Sequence, residues 1–104
     1  MFERVRRIQA FERKHFPCLK SPIDGLLISE IGYYQERGNP LTMKRLLLLR
    51  LGAPATIRRR VQRLIKSGVL HKRRVSHDRR IYQLEIDVVM RARYAKYLRL
   101  ISRV

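Results

Sequence analysis

Apolar positions recur along this chain in two rhythms, helical over most of its length and strand-like in one stretch past the middle. Phe2, Val5, Ile8 and Phe11 return every three residues among Arg4, Arg6, Arg7 and Glu12, which predicts a helix from Phe2 to His15. Phe16-Pro17 ends it, because a residue before proline is pushed out of the α region. Ser21-Pro22-Ile23-Asp24 reads as the next helix start. Serine caps, proline takes the first helical position, and Asp24 sits in the first turn where the helix dipole favours an anion. Ile23, Leu27, Ile31 and Tyr34 form its stripe, and Gly38 is the stop signal. Asn39-Pro40 makes a turn. Thr42 then caps a short helix with Leu46, Leu47 and Leu49 on its apolar face, closed by Leu51-Gly52. Ala53-Pro54 launches another helix, with Ile57, Val61, Leu64 and Ile65 inward and Ser67-Gly68 as its end.

After Gly68 the period shortens to about two. Val69 to Val75 and Ile81 to Ile86 are rich in β-branched and aromatic residues, and Ser76-His77-Asp78 lies between them, which predicts a hairpin. Asp87 caps a last helix in which Val89, Met90, Tyr94, Tyr97, Leu98 and Ile101 share a face. The order is helix, helix, short helix, helix, hairpin, helix. It implies a mainly α (α+β) fold, a winged helix-turn-helix with a β-hairpin wing and flanking N- and C-terminal helices. A single domain is expected over residues 1–104, with the winged-helix core at 21–86 and the terminal segments 1–20 and 87–104 as dimerisation helices.

Charge changes the picture most. The 104 residues carry 25 Lys and Arg against 8 Asp and Glu, a formal net charge of +17. Solubility needs far less, and an excess this large repels itself in the compact state. A polyanionic partner offsets that repulsion: nucleic acid first, then an anionic membrane or an acidic protein. Residues 1–52 hold 10 basic and 5 acidic side chains, whereas residues 53–104 hold 15 and 3, so the second half is the expected docking side.

Other signals narrow the class. One cysteine, Cys18, excludes an intrachain disulfide framework and fits a reducing compartment. The first residues lack the apolar core and cleavage site of a secretory signal. The longest apolar run, Leu46 to Leu49, is far too short to span a bilayer. A cytoplasmic, nucleoid-associated protein with no membrane partner is expected. There is no glycine-rich phosphate loop, no CxxC pair and no paired-carboxylate signature, and His15, His71 and His77 are too scattered for a metal site. No enzymatic activity, cofactor or metal is therefore expected.

On the helix opened by Pro54, a turn of about 100° per residue leaves Ala55, Arg59, Gln62, Arg63 and Lys66 outward, flanked by Thr56, Arg58 and Arg60. Small residues near the start allow close approach to a major groove, and guanidinium forks can pair with guanine O6 and N7. Ala55, Thr56, Arg58, Arg59, Arg60 and Arg63 are the candidate DNA-reading set, with Arg59 as the expected base reader. A solvated arginine face is the plainer alternative. The Gly-Ala-Pro turn before this helix and the basic hairpin after it favour the DNA reading. The hairpin carries Lys72, Arg73, Arg74, His77, Arg79 and Arg80, more charge than an edge strand needs for protection from aggregation. Arg73, Arg74, His77, Arg79 and Arg80 are the candidate wing contacts to backbone and minor groove. Asp78 is expected to be structural, accepting turn N–H groups or orienting Arg80.

Leu41-Thr42, Gly52-Ala53-Pro54-Ala55-Thr56, Arg60, Val61, Leu64, Gly68, Val69-Leu70 and Asp78-Arg79-Arg80 together resemble the multiple-antibiotic-resistance-regulator (MarR) family. The resemblance covers about residues 21 to 90 and is strongest from 41 to 86. It implies a homodimeric transcriptional regulator that binds pseudo-palindromic double-stranded DNA through two recognition helices and two wings. It also implies terminal helices that interlock across a two-fold axis; Phe2, Val5, Ile8, Phe11, Tyr94, Tyr97, Leu98 and Ile101 are the candidate dimerisation residues. Ala53 stands where the family usually has a capping serine, and the terminal helices are shorter than usual. The resemblance names no small-molecule effector. Cys18, near Lys20, is a candidate redox-responsive thiol, although a lone cysteine is more commonly a packing residue. Two other functions fit the same fold: an architectural protein that coats nucleic acid without reading it, and a protein-interaction module.

Overall fold

The computed structural model describes residues 1–75 and 77–102. Its elements run α1 (Phe2–His15), α2 (Pro22–Glu36), α3 (Met43–Leu48), α4 (Pro54–Lys66), β1 (Leu70–Arg74), β2 (Tyr82–Ile86) and α5 (Val88–Ser102). Each predicted helix and both predicted strands are present. Ser76 of the expected hairpin tip, Arg103 and Val104 lie outside the described residues.

The local signals act largely as their chemistry dictates. Thr42 Oγ1 accepts the Arg45 N–H at 3.3 Å, capping α3. Asp87 Oδ2 accepts from the Val89 and Met90 N–H groups at 3.0 and 3.3 Å, capping α5. Gly38 and Gly68 take positive φ just past α2 and α4. The next residues close each helix, Asn39 N–H on the Tyr34 carbonyl and Val69 N–H on the Leu64 carbonyl, both at 3.0 Å.

Two terminators differ from expectation. Ser21 sits at the N-cap of α2 but makes no capping bond, and its Oγ is buried without a hydrogen-bond partner among the described residues. Asp24 Oδ2 instead takes the Lys20 N–H at 3.0 Å. At the end of α3 the left-handed residue is Arg50, with φ of 55°, and not Gly52. Gly52 serves close approach: a Cβ there would stand 2.9 Å from Ile23 Cδ1 of α2. The turn between α3 and α4 is thereby packed against the first turn of α2.

The strands pair antiparallel from Leu70↔Ile86 to Arg74↔Tyr82. A Thr42↔Gln83 bridge, with the Leu84 N–H on the Leu41 carbonyl at 2.8 Å, adds a short third member ahead of α3. Two residues are too few to show alternation, so the sequence does not announce it. Gln35 Oε1 of α2 accepts the Ile86 N–H at 2.7 Å and ties the sheet to that helix.

Leu27 and Ile31 of α2, Leu46 of α3, Ile57, Val61 and Leu64 of α4, and Leu70, Leu84 and Ile86 of the hairpin form one buried core, closed by Met90 of α5. By contrast, α1 buries none of its residues. Its C-terminal end is held by rings: Phe16 lies 4.7 Å from Tyr94 and Phe11 lies 5.9 Å from Tyr97, between centroids. Arg93 donates to the His15 carbonyl at 3.0 Å, and the Tyr97 hydroxyl donates to Glu12 at 3.0 Å. The expected dimerisation stripe is therefore divided. Phe11, Tyr94 and Tyr97 pack within the chain, whereas Phe2, Val5, Leu98 and Ile101 are exposed and Ile8 is half-buried. Among the described residues no helix is long and apolar enough to cross a membrane.

Candidate nucleic-acid interface

The fourth helix presents two chemistries. Ile57, Val61 and Leu64 are buried against α2, α3 and the hairpin. Ala55, Arg58, Arg59, Gln62, Arg63 and Lys66 are exposed, and Thr56 is half-buried beside them. Pro54 at the first helical position presets φ for the first turn, while Ala53 offers no capping side chain. The first-turn N–H groups therefore lack a side-chain acceptor from Ala53, and the helix dipole leaves that end positive.

Arg60 differs from its neighbours. Its Nε and Nη2 donate to Asp24 Oδ1 and Oδ2, each at 2.9 Å, and Asp24 is 1% exposed. The guanidinium expected to touch DNA instead neutralises a buried carboxylate on α2 and ties the two helices together. Arg60 consequently leaves the set of candidate base readers. Its position at the edge of the outward arc, where a wheel cannot separate inside from outside, is the physical reason the sequence misplaces it.

On the hairpin, Arg73 pairs with Glu85 at 3.2 Å across the strands, and His71 Nε2 lies 2.8 Å from Asp87. The Lys72 ammonium sits over the Tyr82 ring at 4.9 Å. Asp78 accepts the Arg80 backbone N–H at 2.9 Å and its guanidinium at 3.1 Å through both oxygens. These Arg80 bonds hold the Asp78 carboxyl below the usual carboxylate range. Arg80 stays 90% exposed while Asp78 orients it. Arg74, His77 and Arg79 are exposed. Arg58, Arg59, Arg63, Arg74 and Arg79 have no acidic partner among the described residues.

The sequence reading omitted Arg50, exposed and left-handed in the turn that feeds α4, and Asp24 as a partner rather than a dipole complement. A non-glycine signal for the first does not exist. The second had one clue, an acid beside an apolar stripe. Cys18 is half-buried against the core, and no group of three metal-ligating side chains occurs among the described residues.

No protein-family model and no curated protein sequence matches the chain. Among solved structures, a crystal structure of MarR is similar, with a TM-score of 0.64 at 20% identity, covering 96% of this chain and 71% of that one. The fold is MarR-like. In that winged helix-turn-helix fold α3 and α4 are the helix-turn-helix pair and β1–β2 the wing, so the arginines without an acidic partner fall on α4, the end of β1 and the turn before β2.

Proposed function

We propose that this chain is a sequence-specific, homodimeric DNA-binding regulator without enzymatic activity. The observation that carries the reading is the division among three consecutive arginines. Arg60 is satisfied internally, while Arg58 and Arg59 are exposed without acidic partners on the helix that a MarR-like fold offers to a major groove. Arg59 and Arg63 read base edges, Ala55 and Thr56 permit close approach, and Arg58 contacts phosphate. Arg73, Arg74, His77, Arg79 and Arg80 engage the backbone and minor groove from the wing. Two copies associate through the exposed apolar positions Phe2, Val5, Leu98 and Ile101 and the half-buried Ile8, with the Phe11–Phe16–Tyr94–Tyr97 cluster setting the angle between α1 and α5.

Equilibrium binding of single-arginine variants tests this reading. Arg59→Ala costs about 1–3 kcal/mol on a preferred duplex and relaxes sequence preference. Arg79→Ala weakens binding to most duplexes and lowers the salt slope by about one. Unchanged affinity in both variants contradicts the reading. The +17 charge favours a second one, an architectural protein that coats nucleic acid. It requires a steep salt dependence with no discrimination between duplexes.

A further inference from the structure

The wing carries an apolar feature that its charge does not explain. Val75 and Ile81 are 50% and 45% exposed, although both are β-branched and sit amid cations. The register ends at Arg74↔Tyr82, so Val75 directly follows β1 and Ile81 directly precedes β2, beyond the Arg73–Glu85 pair. Core contact cannot be their purpose, since the buried side of the hairpin is Leu70, Leu84 and Ile86 at its other end. The nearby acids, Asp78 and Glu85, are each already bound to an arginine, which leaves the surroundings net positive.

Resting on the DNA-binding reading above, we propose that Val75 and Ile81 form an apolar wedge lying against the sugar walls of the DNA minor groove, with Arg74 and Arg79 on the flanking phosphates. The minor groove joins the two chemistries on the wing: C–H walls of deoxyribose inside, anionic phosphates at the rims, and a width that admits small branched side chains. A second copy of this chain would bring like cations together, and two side chains are too little apolar surface to anchor a membrane. The minor groove therefore fits the patch where those surfaces do not.

The test compares salt titrations of binding to one mixed-sequence duplex of about 30 base pairs, longer than the two half-sites of a dimer. The full chain is measured beside three variants: Val75→Ser with Ile81→Ser, Val75→Leu with Ile81→Val, and Arg79→Ala. Thermal melting of each variant verifies that the fold is retained. The serine pair loses about tenfold in affinity at every salt concentration, because apolar contact releases no counterions. The apolar exchange stays within about twofold, and Arg79→Ala changes the slope. Filling the minor groove with a polyamide ligand weakens the parent more than the serine pair. A serine pair that binds as the parent does overturns this inference alone, whereas a parent indifferent to the polyamide overturns it together with the minor-groove role of the wing arginines. A parent that binds no duplex overturns the regulator reading with it.

Discussion

A carboxyl group as deeply buried as Asp24 needs a cation and donors arranged around it. Arg60 supplies two bonds at 2.9 Å and the Lys20 backbone a third at 3.0 Å. Replacing Arg60 with alanine leaves that carboxylate without its cation, and we expect a loss of about 3–5 kcal/mol in urea unfolding. The apolar double replacement Asp24→Leu with Arg60→Met recovers most of it. Arg59→Ala, one position earlier, stays within about 0.5 kcal/mol of the parent in the same assay, as an exposed side chain should. Equal losses from both arginines would contradict the division of roles. At this scale the sequence was only partly readable. Arg58, Arg59 and Arg60 are chemically identical, and what separates them is a partner 36 residues away. Local spacing cannot display that distance. Ser21 had the right identity for a cap, yet its hydroxyl bonds none of the first-turn N–H groups, and Asp24 three residues on accepts the Lys20 N–H ahead of the helix.

Elements were more legible than residues, because each helix and strand repeats its signal over several turns or rungs. The wing emerged from a change in period, and α4 from proline at one end and glycine at the other. The apolar face of α5 was legible as a stripe but not as a partition, since spacing alone cannot say which members face their own chain. Met90, Tyr94 and Tyr97 do so, while Val89, Leu98 and Ile101 remain exposed. That packing has a pH consequence. Burial first, then the negative charges of Cys18, Tyr97 and Glu12, push the Tyr94 hydroxyl from 10.0 up to about 12. A raised folded value means the unfolded chain releases its proton first, so this contribution is full below pH 10 and is lost as pH rises towards 12. The urea midpoint of the parent falls across this window, and Tyr94→Phe falls less steeply. A parent and variant with parallel alkaline profiles would exclude Tyr94 as the source.

For the whole molecule, the governing facts are a net charge of +17 and an elongated body of 50 × 26 × 22 Å in which α1 buries none of its residues. The exposed Phe2 and Leu98, 73% and 63% accessible, are the positions where association of two copies gains most apolar burial. Phe2→Ser with Leu98→Ser shifts sedimentation towards the monomer and leaves the melting of the core in place. Association unaffected by this change would move the dimer surface elsewhere. The central claim, that a MarR-like fold with these arginines reads sequence as a pair, is tested most directly by selection from a randomised duplex pool at near-physiological salt. The account predicts enrichment of an inverted repeat whose half-sites lie about one helical turn apart. Tight retention with no enriched sequence, or one unpaired half-site, would contradict it.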